Sequence, residues 1–207
     1  MLEITTPGQI IILNGTPRSG KSSIATVIQN TFEGVWMNLG VDRFMQMTPQ
    51  RYQPGIGLRP GGERPDLESL IQILYNAMYE CIAVHSRLGL NVVVDVGHHD
   101  SYSVPQGILT NCAQLLNGLP VLFVGVHCSI QVIMERRLAT WHVGSNQDLS
   151  VPKPVSLWQK VVHDPGIYDL EVDTSVLSSE VCADLICQHL KDGPPPMAFN
   201  HLKTLST

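Results

Sequence analysis

The sequence predicts an α/β fold: a single domain in which a five-stranded parallel sheet carries helices on both faces. Three observations support this class. Segments with strand-like and helix-like patterns alternate along the chain, which is typical of parallel sheets connected by crossover helices. The strand-like segments are short apolar runs, as expected for strands covered on both faces. With 207 residues, of which 43% are apolar and 15% charged, the chain can form one well-packed core.

The predicted strands are apolar runs bounded by turn residues, at residues 9–14, 35–41, 91–95, 121–127 and 170–174. The predicted helices have apolar residues at three- and four-residue spacing and cover residues 23–31, Asp66 to about 88, 104–116, 130–140, and Ser178 or Ser179 to about Leu190. Asp66 and the serines are expected to cap their helices. Right-handed crossovers would bring the carboxyl ends of the strands to one edge, where ligands of such sheets bind.

Residues 15–22, Gly-Thr-Pro-Arg-Ser-Gly-Lys-Ser, match the phosphate-binding pattern G-x-x-x-x-G-K-[ST] between the first predicted strand and helix. The backbone N–H groups of such a loop can surround the charged oxygens of a triphosphate at a helix N-terminus. Lys21 can reach the β- and γ-phosphates, and the hydroxyl of Ser22 can bind the Mg²⁺ that bridges them. The predicted nucleotide-binding residues are Gly15, Thr16, Pro17, Arg18, Ser19, Gly20, Lys21, Ser22 and Ser23.

Two carboxylates are expected at the same edge of the sheet. Asp95 closes the third predicted strand and can hold Mg²⁺ together with Ser22, although an aspartate at a strand end also caps ordinary turns. Asp42 closes the second predicted strand and can accept the proton of an attacking hydroxyl. Because Asp42 precedes a helix-like segment, it is also a candidate helix N-cap.

Arg136 and Arg137 lie near the end of the predicted helix at 130–140, before an irregular stretch. Arginines on a closing segment can stabilise a transferring phosphoryl group, whereas arginines near a helix C-terminus also complement the helix dipole. Each arginine can serve one of these roles, because adjacent helix positions face about 100° apart. We expect a lid at about residues 136–156 and a substrate-side insertion, rich in Pro and Gly, at about 46–66.

The composition limits the classes of partner. The formal net charge of -5 argues against binding to nucleic acid or to an anionic membrane, because phosphate groups attract basic surfaces. The five cysteines include no C-x-x-C pair, which argues against a zinc site or a disulfide framework. No apolar segment approaches the roughly 18 residues that span a bilayer, and the first residues do not resemble a signal peptide. We expect a cytoplasmic protein with a small-molecule partner.

Several segments, together with the phosphate loop, resemble chloramphenicol phosphotransferase. They are Gly-Val-Asp at 40–42, Val-Val-Asp at 93–95, Val-Gly-Val-His-Cys at 124–128 and the run VHDPGIYDLEVDT at 162–174. The resemblance covers roughly residues 9–190. It implies an ATP- and Mg²⁺-dependent O-phosphotransferase with an adenylate- or shikimate-kinase-like fold, often a homo-oligomer. It also implies that Asp42 is the catalytic base, that Lys21 and Ser22 bind phosphate and metal, and that Arg136 is a lid arginine.

The sequence departs from this family at three places. The stretch after Arg137 contains none of the further arginines of the family's lid, and the paired aspartates at the end of the third strand become Asp95-Val96. The segments that form the antibiotic pocket differ as well. We therefore expect the handling of phosphate to carry over, whereas the acceptor is not specified. Residues 1–192 are expected to form the kinase-like domain and residues 193–207 a tail.

The resulting hypothesis is a P-loop enzyme that transfers the γ-phosphate of ATP to a hydroxyl of a small molecule. Chloramphenicol, or a related antibiotic or metabolite, is a candidate acceptor. Lys21, Asp42 and Arg136 would be catalytic, and Ser22 and Asp95 would hold Mg²⁺. Two alternatives stay open: a nucleotide-dependent switch that orders a loop for a protein partner, and a nucleoside or nucleotide kinase.

Overall fold

The centre of the molecule is a sheet of five strands. The computed structural model describes residues 6–61, 64–140 and 151–205. The strands are β1 (Ile10–Asn14), β2 (Trp36–Asn38), β3 (Asn91–Val96), β4 (Val121–His127) and β5 (Leu170–Asp173). Their spatial order is β2-β3-β1-β4-β5 and every pairing is parallel, so the carboxyl ends of the strands share one edge. The predicted parallel α/β sheet is confirmed.

Helices connect and follow these strands. Within the described ranges the α-helices are α1 (Lys21–Thr31), α2 (Val41–Met47), α3 (Glu68–Arg87), α4 (Ile108–Leu115), α5 (Ile130–Thr140), α6 (Lys153–Val161), α7 (Ser179–Asp192) and α8 (Ala198–Leu202). The insertion between α2 and α3 forms short 3-10 turns at Gln50–Tyr52, Gly55–Gly57 and Pro65–Leu67. None of the helices in the described part of the chain combines the length and apolar character needed to cross a membrane.

Both faces of the sheet are buried, and β1 lies at its centre with all its residues buried. On one face, Ile10 and Ile12 join a core with apolar residues of α3, α4 and α8. On the other face, Ile11 and Leu13 pack with apolar residues of α1 and α7. This alternation follows from the two-residue period of a strand, and it explains why β1 is apolar throughout until Asn14. The predicted arrangement of helices on both faces is therefore confirmed.

Two strand ends differ from the prediction in ways that affect the site. β2 ends at Asn38 rather than 41, and Asp42 lies in the first turn of α2, with Gly40 at its N-cap. Leu39 and Val41 favour a longer strand in the sequence because they are apolar, but Leu39 packs against the core from the loop after β2 and Val41 from the first turn of α2. β3 continues past Asp95 to Val96, so Asp95 is its penultimate residue.

The starts of two helices also differ from the prediction, because local side-chain contacts intervene. Asp66 does not cap α3; its carboxylate pairs with Arg64 at 2.7 Å, and the helix begins at Glu68 after a 3-10 turn. α4 begins at Ile108 rather than 104. The carboxylate of Asp100 accepts hydrogen bonds from the backbone N–H groups of Gln106 and Gly107, which hold the chain in a loop just before the helix. The predicted cap by Ser178 is confirmed, since its side chain accepts from the N–H of Val181.

Two helices were not predicted at all. α6 starts with Pro154 in its first turn, where a missing N–H group is tolerated. α8 lies in the segment expected to be a tail, and its Ala198, Phe199 and Leu202 are buried in the core. Prolines mark both regions, at Pro152 and Pro154 for α6 and at residues 194–196 before α8, and prolines in a sequence favour the prediction of irregular chain.

Candidate active site

The phosphate loop connects β1 to α1 at the carboxyl edge of the sheet. The N–H of Gly15 donates to the carbonyl oxygen of Val96 at 3.2 Å, which joins the loop to the neighbouring strand. A side chain at Gly15 would overlap the carbonyl oxygen of Val126. Gly20 has a φ of 91°, in the left-handed region that favours glycine. The local geometry therefore requires both glycines of the motif.

Most of the predicted nucleotide-binding residues line one cleft, namely Gly15, Thr16, Pro17, Arg18, Gly20, Lys21, Ser22 and Ser23. Ser19 is buried, and its carbonyl oxygen accepts a hydrogen bond from the Thr174 hydroxyl at 2.6 Å. The hydroxyl of Thr16 donates to Gln159 Oε1 on α6 at 3.0 Å. These contacts attach the loop to α6 and to the end of β5.

Lys21 is the buried cation of the loop. Its Nζ donates to the carbonyl oxygens of Gly15 at 2.8 Å and Thr16 at 2.7 Å. Burial lowers the pKa of Lys21 to about 8, while the nearby charges of Asp95 and Asp42 act in the opposite direction. The buried ammonium group is thus poorly solvated, which strengthens its attraction for an entering phosphate.

Ser22 and Asp95 form a pair of oxygen donors between α1 and β3. The Ser22 hydroxyl donates to Asp95 Oδ2 at 2.6 Å. Such oxygens are the ligands that Mg²⁺ prefers, and Mg²⁺ usually completes its shell with water and substrate phosphates. Within the described ranges, no group of three or more His, Cys, Asp or Glu side chains could hold a metal ion. The donor set therefore fits Mg²⁺ that is shared with a nucleotide.

Asp42 lines the same cleft from the first turn of α2. Its carboxylate is close enough for its charge to act on Lys21. A side chain at Gly40 would overlap Asp95 Oδ1, so the backbone just before Asp42 packs directly on β3. The structure thus brings Asp42, Asp95 and Lys21 together, although Asp42 reaches the site from a helix and not from a strand end. Its role as a base stays a prediction.

The two neighbouring arginines of α5 make different contacts. The guanidinium of Arg136 donates to the carbonyl oxygens of Thr174 at 2.7 Å and Arg18 at 3.2 Å, and to the Thr174 hydroxyl at 3.2 Å. Arg136 therefore braces the phosphate loop against the end of β5. Arg137 also lines the cleft; burial and the neighbouring charges of Arg59 and Arg18 lower its pKa. The catalytic role predicted for Arg136 remains untested.

The predicted lid at about 136–156 is described only in part, because residues 141–150 lie outside the described ranges. The part of the predicted lid that follows residue 150 includes the start of α6, and hydrogen bonds attach this helix to the site. Trp158 Nε1 donates to the carbonyl oxygen of Gly97 at 3.3 Å, and Gln159 Nε2 donates to that of Cys128 at 2.8 Å. These bonds tie α6 to the ends of β3 and β4, and Trp158 becomes a wall of the cleft.

Sequence reasoning missed Asn14, which organises the edge behind the loop. Its Nδ2 donates to the carbonyl oxygen of Val162 at 2.7 Å and to the Tyr168 hydroxyl at 2.8 Å, and its Oδ1 accepts from the N–H of His98 at 2.8 Å. The Tyr168 hydroxyl is also bonded to His163 at 2.8 Å. The signal was a buried asparagine at the end of an apolar strand, which requires partners.

The cleft has a volume of about 950 Å³ and two chemically distinct halves. One half contains the phosphate loop, Thr174 and the first turn of α7. The other half is lined by Asp42 and by mostly apolar side chains of α2, α3, α6 and the insertion, including Val41, Met45, Pro54, Ile56, Tyr75 and Trp158. Arg59 of the insertion also lines the cleft. A nucleotide and a second molecule can therefore meet at Asp42 and Lys21.

Solved structures with this fold include several kinases. APS kinase of Mycobacterium tuberculosis, in complex with AMPPNP and APS, is similar with a TM-score of 0.61 and 13% identity, over 90% of this chain and 99% of that chain. Shikimate kinase of Acinetobacter baumannii has a TM-score of 0.57 and 13% identity, over 89% and 94% of the two chains. The tunicamycin resistance protein of Deinococcus radiodurans has a TM-score of 0.57 and 17% identity, over 89% and 96%. The fold is that of the P-loop kinases.

Sequence comparison identifies the family within this class. The model of a family described as chloramphenicol phosphotransferase-like protein matches residues 8–191, and the chain belongs to that family. A curated relative from Mycobacterium tuberculosis H37Rv, named "Putative O-phosphotransferase", is 26% identical over 212 residues, which cover 95% of this chain and 88% of the relative. The predicted family resemblance is confirmed.

Proposed function

We propose that this protein transfers the γ-phosphoryl group of ATP to a hydroxyl group of a small molecule, with Mg²⁺ held by Ser22 and Asp95. The observation that best supports this function is the presence of Asp42 in the cleft of the phosphate loop, within range of the Lys21 charge. A carboxylate on the acceptor side assists transfer to an alcohol but is not needed to bind a nucleotide.

In the proposed reaction, the acceptor oxygen forms a bond to the γ-phosphorus while the bond from that phosphorus to the β–γ bridging oxygen breaks. The bridging oxygen keeps the electron pair and leaves with ADP. Asp42 takes the proton of the hydroxyl, and Lys21 and the loop N–H groups hold the phosphates in line. Mg²⁺, when bound, neutralises charge on the β- and γ-oxygens.

The acceptor half of the cleft favours a molecule with an apolar body. Met45, Ile56 and Trp158 are apolar lining residues of the cleft, and Tyr75, which also lines it, belongs to the core together with Ile56. Burial raises the pKa of Tyr75 well above its usual range, so its phenol stays protonated and can donate a hydrogen bond. Chloramphenicol, related antibiotics and hydroxylated metabolites are the candidate acceptors.

The test is a screen of such hydroxylated compounds with ATP and Mg²⁺, with the Lys21→Ala variant as the blank. For an accepted compound, Asp42→Asn should lower kcat by roughly 10²–10⁴-fold, because the hydroxyl loses its proton acceptor. ATP affinity should change little, since Asp42 faces the acceptor. Phosphorylated product measured by mass spectrometry and nucleotide affinity measured by calorimetry separate the two effects.

The matched control is Asp184→Asn, which changes an exposed carboxylate on α7. It should leave kcat and nucleotide affinity unchanged. Full turnover by Asp42→Asn would remove Asp42 from the reaction, and product formation by Lys21→Ala would show that the phosphate loop is not the site of transfer.

A further inference from the structure

The run at residues 162–174 is part of the family resemblance, and the proposed reaction assigns no role to it. Two hydroxyl groups of this run, those of Tyr168 and Thr174, form hydrogen bonds near the two ends of the phosphate loop. Tyr168 lies just before β5, and Thr174 directly follows it. One short segment of the chain therefore contacts the loop at both of its ends.

The first contact joins Tyr168 to Asn14, the buried residue that directly precedes the loop. Asn14 Nδ2 donates to the carbonyl oxygen of Val162 at 2.7 Å and to the Tyr168 hydroxyl at 2.8 Å, so both of its donors go to the run. The hydroxyl is also bonded to Nδ1 of His163 at 2.8 Å. Burial raises the pKa of Tyr168 to about 12 and lowers that of His163 to about 4. The phenol therefore donates to the neutral imidazole while it accepts from Asn14.

The ring of Tyr168 is held by packing on β4. Its centroid lies 4.8 Å from that of Phe123. A side chain at Gly125 would come within 2.8 Å of the Tyr168 ring, so the ring lies directly on the backbone of the strand. The position of the hydroxyl is thus set by the ring, and a phenylalanine at this position would keep the packing while losing the bonds.

The second contact joins Thr174 to Ser19, which lies just before Gly20 and the start of α1. The Thr174 hydroxyl donates to the carbonyl oxygen of Ser19 at 2.6 Å, and both residues are buried. The backbone N–H of Thr174 donates to the carbonyl oxygen of His127 at 3.0 Å. The loop is thereby attached to the ends of β4 and β5 at the point where it enters the helix.

These two contacts limit the conformations of the loop. With Asn14 and Ser19 both bonded, the turn at residues 15–18 is held at each end. A ligand that requires one conformation binds more tightly when the free protein already holds it, because less ordering takes place on binding. Loss of either hydroxyl should therefore weaken the binding of a ligand that the hydroxyl does not itself need to touch.

We propose that Tyr168 and Thr174 are positioning residues, which hold the phosphate loop in its nucleotide-binding conformation before the nucleotide arrives. This inference rests on the proposed function, because it assumes that the loop binds a nucleotide with Mg²⁺. The two hydroxyls act on the nucleotide through Asn14 and Ser19.

The test measures the affinity for ADP with Mg²⁺ by calorimetry, so it requires no acceptor and no transfer. Tyr168→Phe removes one hydroxyl and keeps the ring, and Thr174→Val replaces the other hydroxyl with a methyl group. Each variant should bind ADP roughly three- to tenfold more weakly, because the contribution of about one hydrogen bond to the order of the loop is lost. Thr174→Ser keeps the hydroxyl and should bind within about twofold of the wild type.

Two matched variants provide controls. The hydroxyl of Thr31, at the opposite end of α1, also donates to a backbone carbonyl oxygen, that of Val27 at 2.8 Å. Tyr52 is an exposed tyrosine of the insertion. Thr31→Val and Tyr52→Phe should bind ADP as the wild type does. Weaker binding by either control, to the extent seen in Thr174→Val or Tyr168→Phe, would contradict the inference.

Urea unfolding without nucleotide separates positioning from stability alone. If Tyr168→Phe and Thr174→Val are less stable but bind ADP as tightly as the wild type when folded, the hydroxyls only stabilise the fold and the inference is wrong. Equal weakening in Thr174→Ser and Thr174→Val would also overturn it, because the serine retains the bond. A wild-type protein that does not bind ADP would overturn it as well.

These outcomes are distinct from failure of the proposed function. If no acceptor is phosphorylated but the two variants bind ADP more weakly and Thr174→Ser does not, the positioning role stands and the transfer reaction does not. If acceptors are phosphorylated while both variants bind ADP as the wild type does, the transfer reaction stands and the positioning role is wrong.

Discussion

Lys21 is the residue whose ionisation most directly affects the site. It is buried, it bonds to two carbonyl oxygens of its own loop, and its pKa is lowered to about 8. Bound phosphates would favour the charged ammonium and raise this pKa. Nucleotide binding is therefore coupled to uptake of a proton whenever the free protein holds Lys21 in its neutral form.

This coupling predicts a pH dependence of nucleotide affinity. As the pH rises through about 8, the free protein loses the Lys21 proton, so the affinity for ADP with Mg²⁺ should fall progressively, by up to about tenfold per pH unit. Calorimetry between pH 7 and 9.5 measures the slope. Lys21→Met should bind more weakly at every pH and lose most of this slope, whereas a flat wild-type profile would show that Lys21 keeps its proton throughout.

At the scale of elements, α8 shows how a short segment completes the core. The Asp169 carboxylate accepts from the N–H groups of Met197, at 2.6 Å, and Ala198, at 2.8 Å, and from that of Phe123 on β4. The ring of Phe199 packs edge-on against Phe123, with 5.1 Å between the centroids. The Asp169 carboxylate thus links the start of α8 to β4, the same strand on which Phe199 of α8 packs.

We expect Phe199→Ala to lower the free energy of unfolding by about 3 kcal/mol, near the lower end for buried aromatic residues because α8 lies at the margin of the core. Urea unfolding measures the change. Met197→Ala, at the exposed start of the same helix, should have a much smaller effect. Equal stabilities of the two variants would show that α8 contributes no packing. Nucleotide affinity should be unaffected by either, since α8 residues do not line the cleft.

The sequence allowed the regular elements to be predicted better than the irregular ones. β4 was predicted at its observed limits because Val121 to His127 form an apolar run with clear ends. Asp42 was assigned to the correct side of the sheet but to the wrong element, since Val41 packs on the core from a helix as well as a strand would. The bonds from Asn14 to Val162 and from Arg136 to Arg18 join residues more than a hundred positions apart, so no local sequence pattern predicts them.

At the scale of the whole molecule, His98 links stability to pH. It is buried between the phenol rings of Tyr75 and Tyr79, and its Nε2 is 2.7 Å from the Tyr79 hydroxyl. Among the described residues, its Nδ1 has no hydrogen-bond partner. Burial, together with the neighbouring His99, lowers the pKa of His98 to about 3. The imidazole is therefore neutral in the folded protein at ordinary pH.

Below pH 6.5 the unfolded chain binds a proton at His98 that the folded protein does not bind until about pH 3. The free energy of unfolding should therefore fall on acidification through this window, by up to about 1.4 kcal/mol per pH unit from this group. His98→Gln should show a shallower fall between pH 6.5 and 4.5 in urea unfolding, and the exposed His201→Gln should match the wild type. An unchanged slope in His98→Gln would assign acid sensitivity to other groups.

The two halves of the cleft differ in how easily their residues can be substituted without loss of packing. The phosphate loop, Asn14 and Asp95 belong to strands and helices whose packing on both faces of the sheet leaves little room for substitution. The wall formed by Pro54, Ile56 and Arg59 belongs to a connection of short turns, in which Ile56 is buried in the core while Pro54 and Arg59 are not buried. We expect substitutions in that connection to change which molecule fits beside the phosphate loop while the contacts of the loop itself persist.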